Sequence, residues 1–97
     1  MTNLTVLPEA SEELAASAGY YESQQRGLGV ALVTEVEKSF NRILQHPKAA
    51  QVVAGVIRRR LVHRFPFSVL YRVRENDVVI VAIAHRHRRP GYWLDRT

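Results

Sequence analysis

The residues best suited to chemistry lie together near the end of the chain, in His85-Arg86-His87-Arg88-Arg89-Pro90-Gly91-Tyr92-Trp93-Leu94-Asp95-Arg96. These twelve positions hold four arginines, two of the four histidines and the sole tryptophan. Guanidinium groups pair with phosphate in a defined orientation and aromatic faces stack on bases, so the mixture suits a surface that grips a polyanion. The competing reading is a solvated basic tail whose Trp93 folds back onto the core. Imidazoles at His63, His85 and His87 titrate near neutral pH and could move protons, although such histidines more often satisfy a carbonyl or are simply solvated. His85, His87 and Asp95 are too few ligands in too loose a frame for a metal site, and neither metal nor cofactor is expected. The chain has no cysteine, which excludes disulfides and thiol catalysis and is compatible with a reducing, cytoplasmic setting.

The surrounding sequence must fold to position that stretch. Ninety-seven residues suffice for a single domain, 1–97, with one modest core. No apolar run approaches the roughly 20 residues that span a bilayer, and the residues before Pro8 lack the basic start of a secretory signal. Charge is divided unevenly. Residues 1–56 carry four Lys/Arg against six Asp/Glu, whereas residues 57–97 carry ten arginines, no lysine and three acids. A one-sided arginine surface implies an anionic partner, either nucleic acid or an acidic protein.

Leu4 to Leu7 reads as a short opening strand. Pro8 suits a first helical turn, with Glu9, Glu12 and Glu13 at its positive end. Ala10, Leu14, Ala18 and Tyr21 recur at helical spacing and predict a helix over about 8–25. Gly27 and Gly29 break it. Leu28, Leu32, Val36, Phe40 and Ile43/Leu44 predict a second helix from Leu28 to Gln45, stopped by His46-Pro47. So short a link predicts a helical hairpin. Pro47 to Gly55 reads as a loop, with a helical turn possible at Ala49 to Ala54.

From Val56 the period becomes that of a strand. Arg58, Arg59 and Arg60 alternate, so the triplet cannot form one patch. Phe67 to Arg74 and Val78 to Ala84, joined at Glu75-Asn76-Asp77, predict a hairpin whose second strand is buried on both faces. The whole reads as an α+β fold, β-α-α-β-β-β, with a small antiparallel sheet carrying an N-terminal helical hairpin.

Two segments also resemble a known group of proteins. Arg58-Arg59-Arg60-Leu61-Val62-His63-Arg64-Phe65-Pro66-Phe67 and His85-Arg86-His87-Arg88-Arg89-Pro90-Gly91-Tyr92-Trp93 are similar to the RelE/ParE superfamily of type II toxin–antitoxin toxins. The helix ending in Tyr20-Tyr21-Glu22, the Gly27-Leu28-Gly29 link and the His-Pro stop extend the likeness over nearly the whole chain. The resemblance implies a small cytoplasmic bacterial toxin neutralised by an acidic or amphipathic antitoxin, in a toxin–antitoxin hetero-oligomer. RelE-like members cleave messenger RNA in the ribosome; ParE-like members block DNA gyrase without chemistry of their own.

The RelE-like pattern maps onto Arg86 as phosphate stabiliser and Tyr92 as stacker or proton carrier, the two catalytic candidates if the chain is a ribonuclease. Arg59 would be a further basic residue. Ser68 stands where an arginine is expected, and Leu61 where a lysine is expected. RNA cleavage needs cations around the phosphorane, so these departures favour target inhibition, with gyrase the best-known case, over an endoribonuclease. A binding module that kept only the fold is the alternative from another class. Arg59, Arg72, Arg86, Arg88, Arg89, Tyr92 and Trp93 are the candidate residues for target or nucleic-acid binding.

Overall fold

The computed structural model describes residues 3–96; Met1 and Thr2, part of the segment read above for a signal, and Thr97 lie outside it. The described residues form β1 (Asn3–Val6), α1 (Pro8–Gln24), α2 (Leu28–Gln45), β2 (Gln51–Ala54), β3 (Ile57–Leu61), β4 (Phe67–Arg74) and β5 (Asp77–His85). One sheet holds all five strands in the order β1-β5-β4-β3-β2. None of the helices is long and apolar enough to cross a membrane.

The expected α+β architecture and helical hairpin are present, with two changes to the sheet. First, β1 runs parallel to β5, pairing Leu4 with Val78 and Val6 with Ile80, so the sheet is mixed rather than wholly antiparallel. A strand's own pattern does not name its partner, and this one lies at the far end of the chain. Second, Gln51–Ala54 is a strand and not a loop or helical turn. Ala49, Ala50 and Ala54 favour helix, but Gly55 adopts φ +53° and turns the chain back so that Gln51 and Val52 pair with Arg59 and Arg58. The Arg58 guanidinium then holds the approach to β2 by donating to the carbonyls of Lys48 and Ala50 at 3.0 and 2.7 Å.

The helical link is built from three features. Gly27 takes the left-handed conformation at φ +87°. The Glu22 carboxylate accepts the Gly27 and Gly29 amides at 2.9 and 3.0 Å, satisfying the open N-terminus of α2. These hydrogen bonds hold its carboxyl below the ordinary carboxylate value, against the weaker upward push of burial. Gly29 sits so close to α1 that an added Cβ would meet the carbonyl oxygen of Ala18. We therefore expect Gly29→Ala to force the helices apart and cost about 2 kcal/mol, the scale of overpacking in a filled interior. Urea denaturation checks this; an unchanged midpoint would show that the hairpin yields freely.

Helix α2 buries Leu32, Val36 and Ile43 against Val69, Tyr71, Val78, Ile80 and Ile83. Tyr71 is wholly buried and donates its hydroxyl to the Pro47 carbonyl at 2.8 Å. A second apolar cluster covers the opposite face of the sheet, with Ile57, Leu70, Val81, Ala82, Ala84 and Trp93. A bulge on β5 creates it: Leu70 faces Ala82 while Tyr71 faces Ile80, which leaves Val81 without a cross-strand partner. The extra residue reverses the alternation. Ile83 thereby joins the helix-facing core, and the small Ala82 and Ala84 turn outward, where the indole of Trp93 lies over them.

Candidate functional site

The outward face of the sheet is where the sequence-predicted residues meet. Arg59 pairs with Leu70, and Leu61 pairs with Ser68, so these four side chains share the face opposite the helices. Beyond His85 the chain leaves β5 in a series of turns. The Arg86 amide donates to the Pro66 carbonyl at 2.9 Å, the Arg88 amide to the His85 carbonyl at 2.9 Å, and Gly91 turns at φ +77°. The result is a cleft of about 450 Å³ whose lining includes Arg59, Ser68, Arg86, Arg88, Arg89 and Trp93. Tyr92 also borders it.

Those residues are not equally open. Arg59, Arg86, Arg88 and Arg89 are exposed, and Tyr92 is half-buried. Trp93 is only 7% exposed, because its ring belongs to the outer-face cluster. That is the folded-back arrangement weighed against a projecting aromatic, so stacking at this site would fall to other groups. Arg72 is half-buried, and its Nε is enclosed without a hydrogen-bond partner among the described residues. His85 packs edge-on against Phe67 and accepts the His87 amide through Nδ1 at 3.1 Å. Burial, with help from the nearby His87 and Arg86 charges, holds its pKa below the ordinary histidine value. No group of three or more His, Cys, Asp or Glu among the described residues is placed to hold a metal ion.

One residue that the sequence reading gave only to the N-terminal charge of the first helix organises the end of the chain. Glu13, on α1, accepts the Ile83 amide and the Arg96 guanidinium through Oε1 at 3.0 and 2.9 Å. Its Oε2 accepts the Tyr92 hydroxyl at 2.6 Å and the second Arg96 nitrogen at 3.0 Å. The Tyr92 ring also has two cationic neighbours, Arg88 at 4.0 Å and Arg96 at 5.0 Å from its centroid. Burial, then the hydrogen bond to Glu13 and its charge, push the Tyr92 pKa up to about 12. A signal for Glu13 was present in the sequence. It lies one turn from Ala10 and one turn from Ser17, on the flank of the apolar stripe, where a carboxylate needs a partner.

The Glu13 contacts make the site sensitive to acid. Burial pushes the carboxyl up, but the bonds from Arg96, Tyr92 and the Ile83 amide outweigh it, so the folded pKa lies below the ordinary 4.5. A depressed carboxylate contributes its stability above the unfolded value and loses it as pH falls through the folded one. Glu9 and Glu12 border the same region. We expect the Ile83 amide to be protected from hydrogen exchange above pH 4.5 and progressively less so below it. Glu13→Gln should flatten that dependence, read by NMR exchange corrected for intrinsic rates.

Comparison with known proteins accords with this geometry. Residues 4–90 match the family described as the ParE toxin of the type II toxin–antitoxin system, parDE. The chain belongs to the ParE toxin family. A solved structure described as a chromosomal ParDE TA system from P. aeruginosa has the same fold, with a TM-score of 0.78. It covers 88% of this chain and 96% of its own at 20% identity. No curated protein matches the chain. Membership makes the chain the toxin of a parDE pair, with an antitoxin as partner.

Proposed function

We propose that this ParE toxin arrests growth by binding and blocking DNA gyrase, the target of ParE toxins, rather than by cutting RNA. The observation that carries this reading is the cross-strand pair Leu61–Ser68. These are two of the positions where the ribonuclease pattern places cations, and they lie directly opposite each other on the outward face of the sheet. A phosphorane held there would find one contiguous uncharged patch where stabilising charge is needed. Tyr92 supports the same reading, since its hydroxyl already donates to Glu13. What remains is a binding surface made of Arg59, Arg86, Arg88 and Arg89 over an apolar floor. Its action on gyrase places the toxin in the cytoplasm.

The antitoxin is expected to contribute carboxylates and apolar anchors to the same arginine-rich half, in a toxin–antitoxin hetero-oligomer. Expression without the antitoxin should arrest growth. The purified chain should inhibit gyrase supercoiling and leave ribosome-bound messenger RNA intact. Ribosome-dependent cleavage by the wild type, lost in Arg86→Ala, would overturn the proposal in favour of the ribonuclease.

A further inference from the structure

The outer margin of β5 is only partly paired. Pairing with β1 reaches Ile80, where the Leu7 amide makes the last backbone bond. Beyond it, the Val81 carbonyl and the Ile83 amide point away from β4 with no strand among the described residues to receive them. Side chains do that work. Glu13 accepts the Ile83 amide, and Arg96 donates to the Val81 carbonyl at 3.1 Å while forming its ion pair with Glu13 at 2.9 Å. The helix and the end of the chain thus replace a missing strand, and each depends on the other to do so.

We propose that Glu13 is a positioning residue for the toxin's growth-arrest activity. With Tyr92 and Arg96 it clamps the C-terminal segment to β5 and fixes the loop that carries Arg86, Arg88 and Arg89. That loop is held at its start by the Arg86 amide on Pro66 and at its end by buried Trp93 and the clamp. Arg88 is further held over the Tyr92 ring, which the same carboxylate orients. A loop tied at both ends presents its guanidinium groups with little left to order on binding, and affinity gains accordingly. The inference rests on the reading of these arginines as the target-binding surface. Glu13 itself does not touch the target.

The test uses the full-length chain with Glu13→Ala, Arg96→Ala, both together, and Glu13→Asp. Cleavage after the loop arginines by limited trypsin reads docking of the segment. Titrated expression, with protein levels matched, reads growth arrest. Each single alanine variant should speed loop cleavage and raise the dose needed for arrest by about tenfold, the scale of lost bonds to a charged group. The fold should survive, with a smaller fall in melting midpoint than Trp93→Ala gives, because both apolar clusters stay packed. The double variant should be no worse than either single, because the two residues act as one unit. Glu13→Asp, which keeps the charge one methylene short, should recover part of the loss.

A protected loop, a released loop with undiminished arrest, or additive effects in the double variant would each overturn the inference. Should Glu13→Ala not fold, Arg96→Ala carries the test, since it removes only the far arm of the clamp. If Arg86, Arg88 and Arg89 can be changed together to glutamate without loss of arrest, the target-surface reading fails and the inference falls with it. If that triple change abolishes arrest while Glu13→Ala does not weaken it, the inference fails alone.

Discussion

Trp93→Ala is expected to lower stability by about 3 kcal/mol, the range for removing a buried aromatic side chain. For a domain of this length that corresponds to a fall in melting temperature on the order of 15 °C. The indole is 7% exposed and covers Ile57, Leu70, Val81, Ala82 and Ala84 on the face of the sheet opposite α1 and α2. Without it, an apolar patch faces water and the tail loses its anchor, so dye binding to exposed apolar surface should rise as well. Trp93→Phe should recover much of the loss. Thermal and urea denaturation followed by circular dichroism measure both variants. A midpoint unchanged in Trp93→Ala would mean that the outer cluster contributes nothing to the fold, contrary to its burial.

Replacing Arg86, Arg88 and Arg89 together with glutamate is expected to abolish growth arrest, with a loss of at least about a hundredfold in dose. All three side chains are exposed, so the fold should survive, apart from the modest stacking of Arg88 on Tyr92. Reversing three charges turns an attractive surface into a repulsive one, and like charges brought together cost several kcal/mol. Single alanine changes should erode the activity gradually, because no one guanidinium is aimed at a reacting atom. Tyr92→Phe keeps the ring but removes one bond of the Glu13 clamp, and should raise the dose needed for arrest by less than Glu13→Ala does. These variants should be measured side by side for growth, supercoiling and translation. A sharp loss confined to Arg86→Ala and Tyr92→Phe, appearing in translation alone, would mark a chemical step instead of a blocking surface.

Much of this organisation was legible in local pattern. The stripe Leu28, Leu32, Val36, Phe40, Ile43 bounds α2 as observed, and Gly27 marks the turn of the link that follows the first helix. The hairpin of β4 and β5 follows from two apolar runs around Glu75-Asn76. Ser68 and Leu61 could be named as departures from the ribonuclease pattern, but not placed beside each other until the register of β3 and β4 was known. The strand Gln51–Ala54 is not legible because Ala49, Ala50 and Ala54 around Val52-Val53 suit a helical turn, whereas a strand at an edge is decided by the neighbour it pairs with.

By itself, then, the sequence determined what rests on near neighbours: two helices with their apolar faces, an arginine-rich second half, and membership of a toxin superfamily. Tertiary structure decided what depends on residues far apart. One unpaired residue, Val81, shifts every later side chain of β5 to the other face and so opens a place for Trp93. No alternating pattern can reveal this, because a bulge changes parity without changing composition. The Glu13–Arg96 pair spans 83 positions. Its attraction exists only once α1 and β5 lie side by side, which brings a carboxylate, a tyrosine and a guanidinium to the stretch of β5 beyond its pairing with β1.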